Sequence, residues 1–134
     1  MSRNLIVLIV DDDADDREIL QDAFTNACPE ATLVPLENGD ALINWLHSCD
    51  PMALPSLIML DLNMPGKDGR ESLKELKADP QFQAIPIIVF TTSSSHRDKK
   101  TAYESGANCF ITKPDTFDKL VGLSRSICTL WFTE

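Results

Sequence analysis

Three short stretches of this chain are apolar at every position: Leu5 to Val10, Leu57 to Leu60 and Pro86 to Phe90. A strand with one face in water alternates apolar and polar residues. An uninterrupted aliphatic run therefore demands cover on both faces, as inside a sheet flanked by helices. Two of the three runs end on an acid, Asp11 and Asp61, and the third ends on Thr91. That combination constrains the fold more than any other feature of the chain.

The segments between the runs supply the cover. Asp13 to Ala27 carries Ile19, Leu20, Ala23, Phe24 and Ala27 at helical spacing, with acids in the first turn and Pro29 just beyond. Thr32 to Leu36 reads as a short strand, and Gly39 to Ser48 as a helix with Leu42, Trp45 and Leu46 on one side. A Met64-Pro65-Gly66 turn leads into a helix from Asp68 to Ala78, with Leu73 and Leu76 inward. A more polar helix, Arg97 to Ser105, stops at Gly106. Cys109 to Thr112 is a last strand, and Thr116 to Leu130 a last helix carrying Phe117, Leu120, Val121, Ile127 and Leu130. Five strand–helix alternations with short connections predict an α/β fold. The expectation is a (βα)5 flavodoxin-like doubly wound parallel five-stranded sheet, order 2-1-3-4-5, as a single domain over 1–134.

The net charge is −9, which argues against nucleic acid or an anionic membrane surface as a partner, since both recruit Lys and Arg. The apolar start is too short for a secretory leader and runs into Asp11-Asp12-Asp13, and nothing else approaches the ~20 residues of a membrane span. Cys28, Cys49, Cys109 and Cys128 form no CxxC pair, so small buried thiols in a reducing cytoplasm are the reading.

In open α/β sheets the sites gather at the carboxyl ends of the strands. Those ends carry Asp11-Asp12, Asp61, Thr91 and Lys113. Carboxylates about 4 Å apart repel by roughly 4 kcal/mol per pair at an effective dielectric near 20, so such a cluster takes up a proton or a cation. Oxygen ligands without His or Cys favour a hard ion, Mg2+. Phosphoryl transfer depends on positioning and charge stabilisation, and these groups suit it: Asp61 as nucleophile, Lys113 as a mobile positive charge, Thr91 as hydroxyl donor. Asp13 and Asp15 read as helix capping and Asp16 as solvated surface. A Ca2+ loop starting at Asp11 fails, because Asp16 stands where its Gly belongs and Asp22 where its closing Glu belongs. His47 and His96 read as solvated.

Four segments carry a family resemblance: Val7-Leu-Ile-Val-Asp-Asp-Asp13, Leu57-Ile-Met-Leu-Asp-Leu-Asn-Met-Pro-Gly66, Ile87-Ile-Val-Phe-Thr-Thr92 and Gly106-Ala-Asn-Cys-Phe-Ile-Thr-Lys-Pro114. Over essentially its whole length the chain resembles a response-regulator receiver domain. The resemblance implies that Asp61 accepts a phosphoryl group from a phosphohistidine of a sensor histidine kinase or phosphotransfer protein. It implies Mg2+ bound directly by Asp12 and Asp61, by the backbone carbonyl of Asn63, and by Asp11 through water. Thr91 and Lys113 match the switch hydroxyl and the receiver lysine, and Phe110 the aromatic that turns inward on activation. A cis bond between Lys113 and Pro114 is also implied, against a base rate of about 5–6% for such bonds. The Asp11-to-Arg17 segment, the Asp79-Pro80 loop and Thr91-Thr-Ser-Ser-Ser95 resemble small receivers paired with bacterial phytochromes. Asp115 and Thr92 depart from the family pattern, and both bear on how long a phosphorylated state would last.

The resemblance leaves room for a homodimer and names no downstream target. With Trp131-Phe132-Thr133-Glu134 following the last helix, no output domain is expected. The expected output is conformational switching onto a partner, or phosphorelay. The chain is expected to be no enzyme, promoting only its own phosphorylation and dephosphorylation. Three other classes compete. A phosphorylation-independent receiver-fold scaffold tends to lose an acid or the lysine, and none is missing. A haloacid-dehalogenase-like phosphatase needs a second Asp two positions after its nucleophile, where Asn63 stands. A flavodoxin-like electron carrier needs a Ser/Thr/Gly-rich loop where this chain has Asp11 to Asp16.

Overall fold

The computed structural model describes residues 5–64 and 69–132. Five strands, β1 (Ile6–Val10), β2 (Thr32–Leu36), β3 (Leu57–Leu60), β4 (Ile87–Thr91) and β5 (Cys109–Thr112), alternate with five helices. These are α1 (Ala14–Ala27), α2 (Gly39–Ser48), α3 (Gly69–Ala78), α4 (His96–Glu104) and α5 (Phe117–Phe132). The strands pair in parallel in the order β2-β1-β3-β4-β5, the expected flavodoxin-like arrangement. The Pro65-Gly66 part of the expected turn, and Asp68 as the start of α3, lie outside the described residues.

The all-apolar runs are explained by two cores, one on each face of the sheet. Successive strand residues point to opposite faces. Val7, Ile9, Leu57, Met59, Ile88 and Phe90 pack with Leu20, Ala23 and Phe24 of α1 and with Leu120 and Ile127 of α5. Leu8, Val10, Ile58, Leu60, Ile87 and Val89 pack on the other side with Leu42 and Leu46 of α2, Leu73 and Leu76 of α3, and Ala102 of α4. Helix α4 buries only Ala102, so apolar contact fastens it less than its neighbours.

Local chemistry sets the ends. Asp13 caps α1, accepting the amides of Asp15 and Asp16; Asp15 is not a cap but lies in the first turn. Ser95 caps α4 through the amides of Arg97 and Asp98, which starts that helix at His96 rather than Arg97. Strand β4 starts after Pro86, which has no amide hydrogen to donate, and extends to Thr91, opposite Thr112. Helix α4 closes on Gly106 at φ 106°, the amides of Gly106 and Ala107 returning to the carbonyls of Tyr103 and Ala102. Helix α5 runs on to Phe132, because Trp131 and Phe132 still find the α1–α5 core.

Some expected inward residues face out instead. Ile19 is 45% exposed, Phe117 43% and Leu130 74%. Each stands at the edge of its helix stripe, where a periodic pattern cannot tell core from rim. His96 is exposed as expected, whereas His47 is exposed but sets its ring edge against Phe82 at 5.3 Å. All four cysteines are free thiols, Cys28 buried and the others half-buried.

Candidate functional site

Parallel pairing brings the strand ends together. Val10 lies opposite Leu60, so Asp11 and Asp61 leave adjacent strands side by side, and the Asp61 amide donates to the Val10 carbonyl at 3.0 Å. Thr91 ends β4, and the Lys113 amide donates to its carbonyl at 2.7 Å. Carboxylate oxygens of Asp11, Asp12 and Asp61 all lie within 4.8 Å of one another. Asp11 and Asp61 are buried, Asp12 is exposed, and Thr91 is wholly buried. Asn63 is exposed, and its amide donates to Asp61 Oδ1 at 3.3 Å. Three acids so close, all with oxygen donors and one open to solvent, fit a hard divalent cation that keeps part of its water shell.

Lys113 is the counter-charge. Its ammonium lies 2.7 Å from Asp11 Oδ2, 2.9 Å from Asp16 Oδ2 and 3.5 Å from Asp61 Oδ2. Burial would lower its pKa, but the hydrogen bonds to Asp11 and Asp16 and the charge of Asp61 outweigh that and hold it above the ordinary value. Burial has the opposite consequence at Asp11, whose carboxyl is raised despite the bonds from Lys113 and from the Asp13 amide. Asp16 corrects the sequence reading: it is not simply solvated surface but the third acid on Lys113. Asp16 stands five residues after Asp11, and one turn of α1 brings it back to the crevice. No motif marks that contact. Beside it, Lys113, Asp16, Ile19, Leu20, Phe117 and Leu120 line a groove of about 360 Å3.

Thr91 and Phe110 occupy the opposite side. Thr91 continues the alternation of Ile87 and Val89, toward the α4 side. Phe110, paired with Val89, is half-buried against the same core. Phe110 thus shares the face of the threonine, with its amide bonded to the Tyr103 hydroxyl at 3.1 Å. No cis peptide bond occurs among the described residues, so the bond from Lys113 to Pro114 is trans, contrary to expectation. The trans form is the commoner for X–Pro by about 0.5–1 kcal/mol.

A polar group absent from the sequence reading flanks the crevice. Arg70 of α3 reaches Asp98 of α4 at 3.2 Å and the side-chain oxygen of Asn63 at 3.4 Å, while the Ser93 hydroxyl donates to Asp98 at 2.7 Å. The ion pair joins residues 28 positions apart, and no motif links them.

Comparison with known proteins identifies the family and the fold. The model of the response regulator receiver domain matches residues 7–124. Response regulator Rcp1 of Synechocystis sp. is 33% identical over 129 residues, covering 94% of this chain and 88% of the relative. The crystal structure of the phosphorylated cyanobacterial phytochrome response regulator RcpA superposes with a TM-score of 0.88 at 31% identity, covering 98% of this chain and 96% of that one. That of the Mn2+-bound form of Rcp1 gives 0.82 at 33%, covering 95% and 94%. Receiver domains are the signalling switches of two-component systems, and this chain, with its acid cluster at the strand ends, belongs to the response regulator receiver family.

Proposed function

We propose that this protein takes a phosphoryl group onto Asp61 in a Mg2+-dependent reaction and signals by the change in conformation that follows. The observation that carries the reading is the meeting of Asp11, Asp12 and Asp61 within 4.8 Å, with the Lys113 ammonium among them. Mg2+ would be held by Asp12, Asp61 and the backbone carbonyl of Asn63, and by Asp11 through water. When bound it would neutralise charge on the phosphoryl oxygens.

The chain's own groups do the rest. A carboxylate oxygen of Asp61 attacks phosphorus, the bond from phosphorus to the donor's imidazole nitrogen breaks, and the imidazole leaves with the electron pair and takes a proton. Burial keeps the Asp61 carboxylate poorly hydrated, which favours attack. Lys113 exchanges an acid for a phosphoryl oxygen, and the Thr91 hydroxyl donates to another. Space vacated by Thr91 admits Phe110, which reshapes the surface of α4, β5 and α5. Phosphorylation shifts a pre-existing equilibrium between two arrangements.

The donor is a sensor histidine kinase or a phosphotransfer protein. Likeness to a phytochrome response regulator supports a phytochrome-type kinase. Output passes to a protein target or onward by phosphorelay, with self-association into a homodimer as one form it could take. Among the described residues no helix is long and apolar enough to cross a membrane. Likeness to response regulators supports the cytoplasm as the site of action, and the acidic charge disfavours nucleic acid as a partner.

Intact mass after incubation with acetyl phosphate tests the reading. One phosphoryl adduct is expected with Mg2+, none with excess chelator, and none in Asp61→Asn. Labelling that persists in Asp61→Asn would sink the assignment. A wild-type protein that binds Mg2+ yet takes no phosphoryl from acetyl phosphate or from a kinase would favour a scaffold.

A further inference from the structure

Between Asp61 and Thr91 runs a chain of polar contacts with short links in the middle and long links at its ends. The Asn63 amide donates to Asp61 Oδ1 at 3.3 Å, and Arg70 Nη1 to Asn63 Oδ1 at 3.4 Å. Arg70 Nη2 meets Asp98 Oδ1 at 3.2 Å, and the Ser93 hydroxyl donates to Asp98 Oδ2 at 2.7 Å. The Ser93 amide closes the circuit on Thr91 Oγ1 at 3.4 Å, while Thr112 Oγ1 donates to the Ser93 carbonyl at 2.9 Å. The Arg70–Asp98–Ser93 links are short and charge-assisted, and the long contacts at Asp61 and Thr91 are the ones that give.

The two ends of the central ion pair are anchored unequally. Gly69 lies against the backbone of Asp61 and Leu62 so closely that no side chain fits between, which ties Arg70, the next residue, to the position of Asp61. Helix α4 is held to the sheet by one buried side chain, so contacts at its first turn weigh more. Asp98 sits in that turn, and Ser95, its cap, also bonds its amide to the Ser93 hydroxyl at 3.2 Å.

We propose that Arg70 is a positioning residue which, through Asp98, braces the β4–α4 loop in its resting arrangement and thereby sets how readily Thr91 turns toward a phosphoryl group on Asp61. The inference rests on the phosphoacceptor reading. Turning the Thr91 hydroxyl toward Asp61 breaks its contact with the Ser93 amide, and a loop that follows must pull Ser93 from Asp98, or Asp98 from Arg70. Loss of the brace therefore favours the phosphoryl-bound arrangement, and Asp98→Asn breaks it at a residue bonded to Arg70 and Ser93 rather than to the Asp61 or Asn63 groups.

The test titrates the full chain with beryllofluoride and Mg2+, comparing wild type, Arg70→Ala, Asp98→Asn and the double variant. Asp98→Asn keeps the size of the side chain and an acceptor for Ser93. Each single change is expected to tighten the apparent Kd by roughly two- to fivefold, about 0.4–1 kcal/mol, the scale of a half-exposed ion pair. The double variant should gain no more than either single one, since one link is broken in all three. Amide hydrogen exchange across 93–98 in the free variants should speed up by a similar factor. Unchanged or weaker affinity in both single variants, or additive gains in the double, overturns the brace. A wild-type protein that takes up no beryllofluoride overturns the phosphoacceptor reading instead, and hydrogen exchange still reports whether the pair holds the loop.

Discussion

Replacing Gly69 by alanine tests how tightly α3 is seated on the candidate phosphoacceptor. An ideal Cβ at position 69 overlaps the carbonyl oxygen of Asp61 and stands 2.6 Å from Leu62 Cα. Ordinary contact begins beyond 3.4 Å, so α3 or the β3–α3 connection must move by about 1 Å. Overpacking costs about 1–3 kcal/mol, and an obstacle made of backbone belongs at the upper end. The better helix propensity of Ala returns up to about 1 kcal/mol. The net loss is then about 2 kcal/mol, which in a domain of this size lowers Tm by roughly 6–10 °C. Gly122, inside α5, is the control: a Cβ there meets nothing within 4 Å, so Gly122→Ala should stabilise by about 0.5–1 kcal/mol. Thermal and urea unfolding followed by far-UV circular dichroism would read both. Gly69→Ala as stable as wild type would refute the close approach, and with it the anchoring of Arg70.

Asp12→Asn removes the exposed acid of the cluster and should weaken Mg2+ binding by roughly tenfold or more, read by calorimetric titration, with little change in unfolding. Asp16→Asn should lower the pKa of Lys113 toward its ordinary value, seen by NMR of the ammonium, while costing under about 1 kcal/mol because Asp16 is partly exposed. The Asp98 carboxyl lies below its ordinary pKa of 3.8, chiefly through the Ser93 hydroxyl and then Arg70, against some opposing burial. Its contribution to stability is therefore full above about pH 4 and lost as pH falls through the lowered value, so wild type should lose stability faster than Asp98→Asn below pH 4. Parallel acid-unfolding curves for the two would contradict that assignment.

What was legible beforehand followed from two periodicities. Apolar runs without alternation could only be central strands, and their ends then had to meet, which is why Asp11, Asp61, Thr91 and Lys113 could be grouped before any coordinates. Contacts that depend on side-chain reach across elements were not legible. Arg70 and Asp98 are 28 residues apart, and nothing in the sequence pairs them. Asp16 looked solvated because its partner comes from the far end of the chain. Leu130 fits the apolar stripe of α5 three residues after Ile127, yet it lies 74% exposed where no neighbouring element covers the stripe. The isomer of the bond before Pro114 depends on a small free-energy difference that residue identity does not decide.

The alternation of β1, β3, β4 and β5 has a further consequence. Asp11, Asp61 and Lys113 follow the register of the strand residues that face α1 and α5, whereas Thr91 and Phe110 follow the register that faces α4. The sheet acts as a bulkhead between a wet workshop and a dry linkage. On the phosphoacceptor reading, substitutions in the α1–α5 wall, such as at Ile19 or Phe117 beside the groove, should retune who delivers the phosphoryl group. Those around Phe110 and Ala102 should retune who hears of it. A lineage built on this chain could exchange one correspondent while keeping the other.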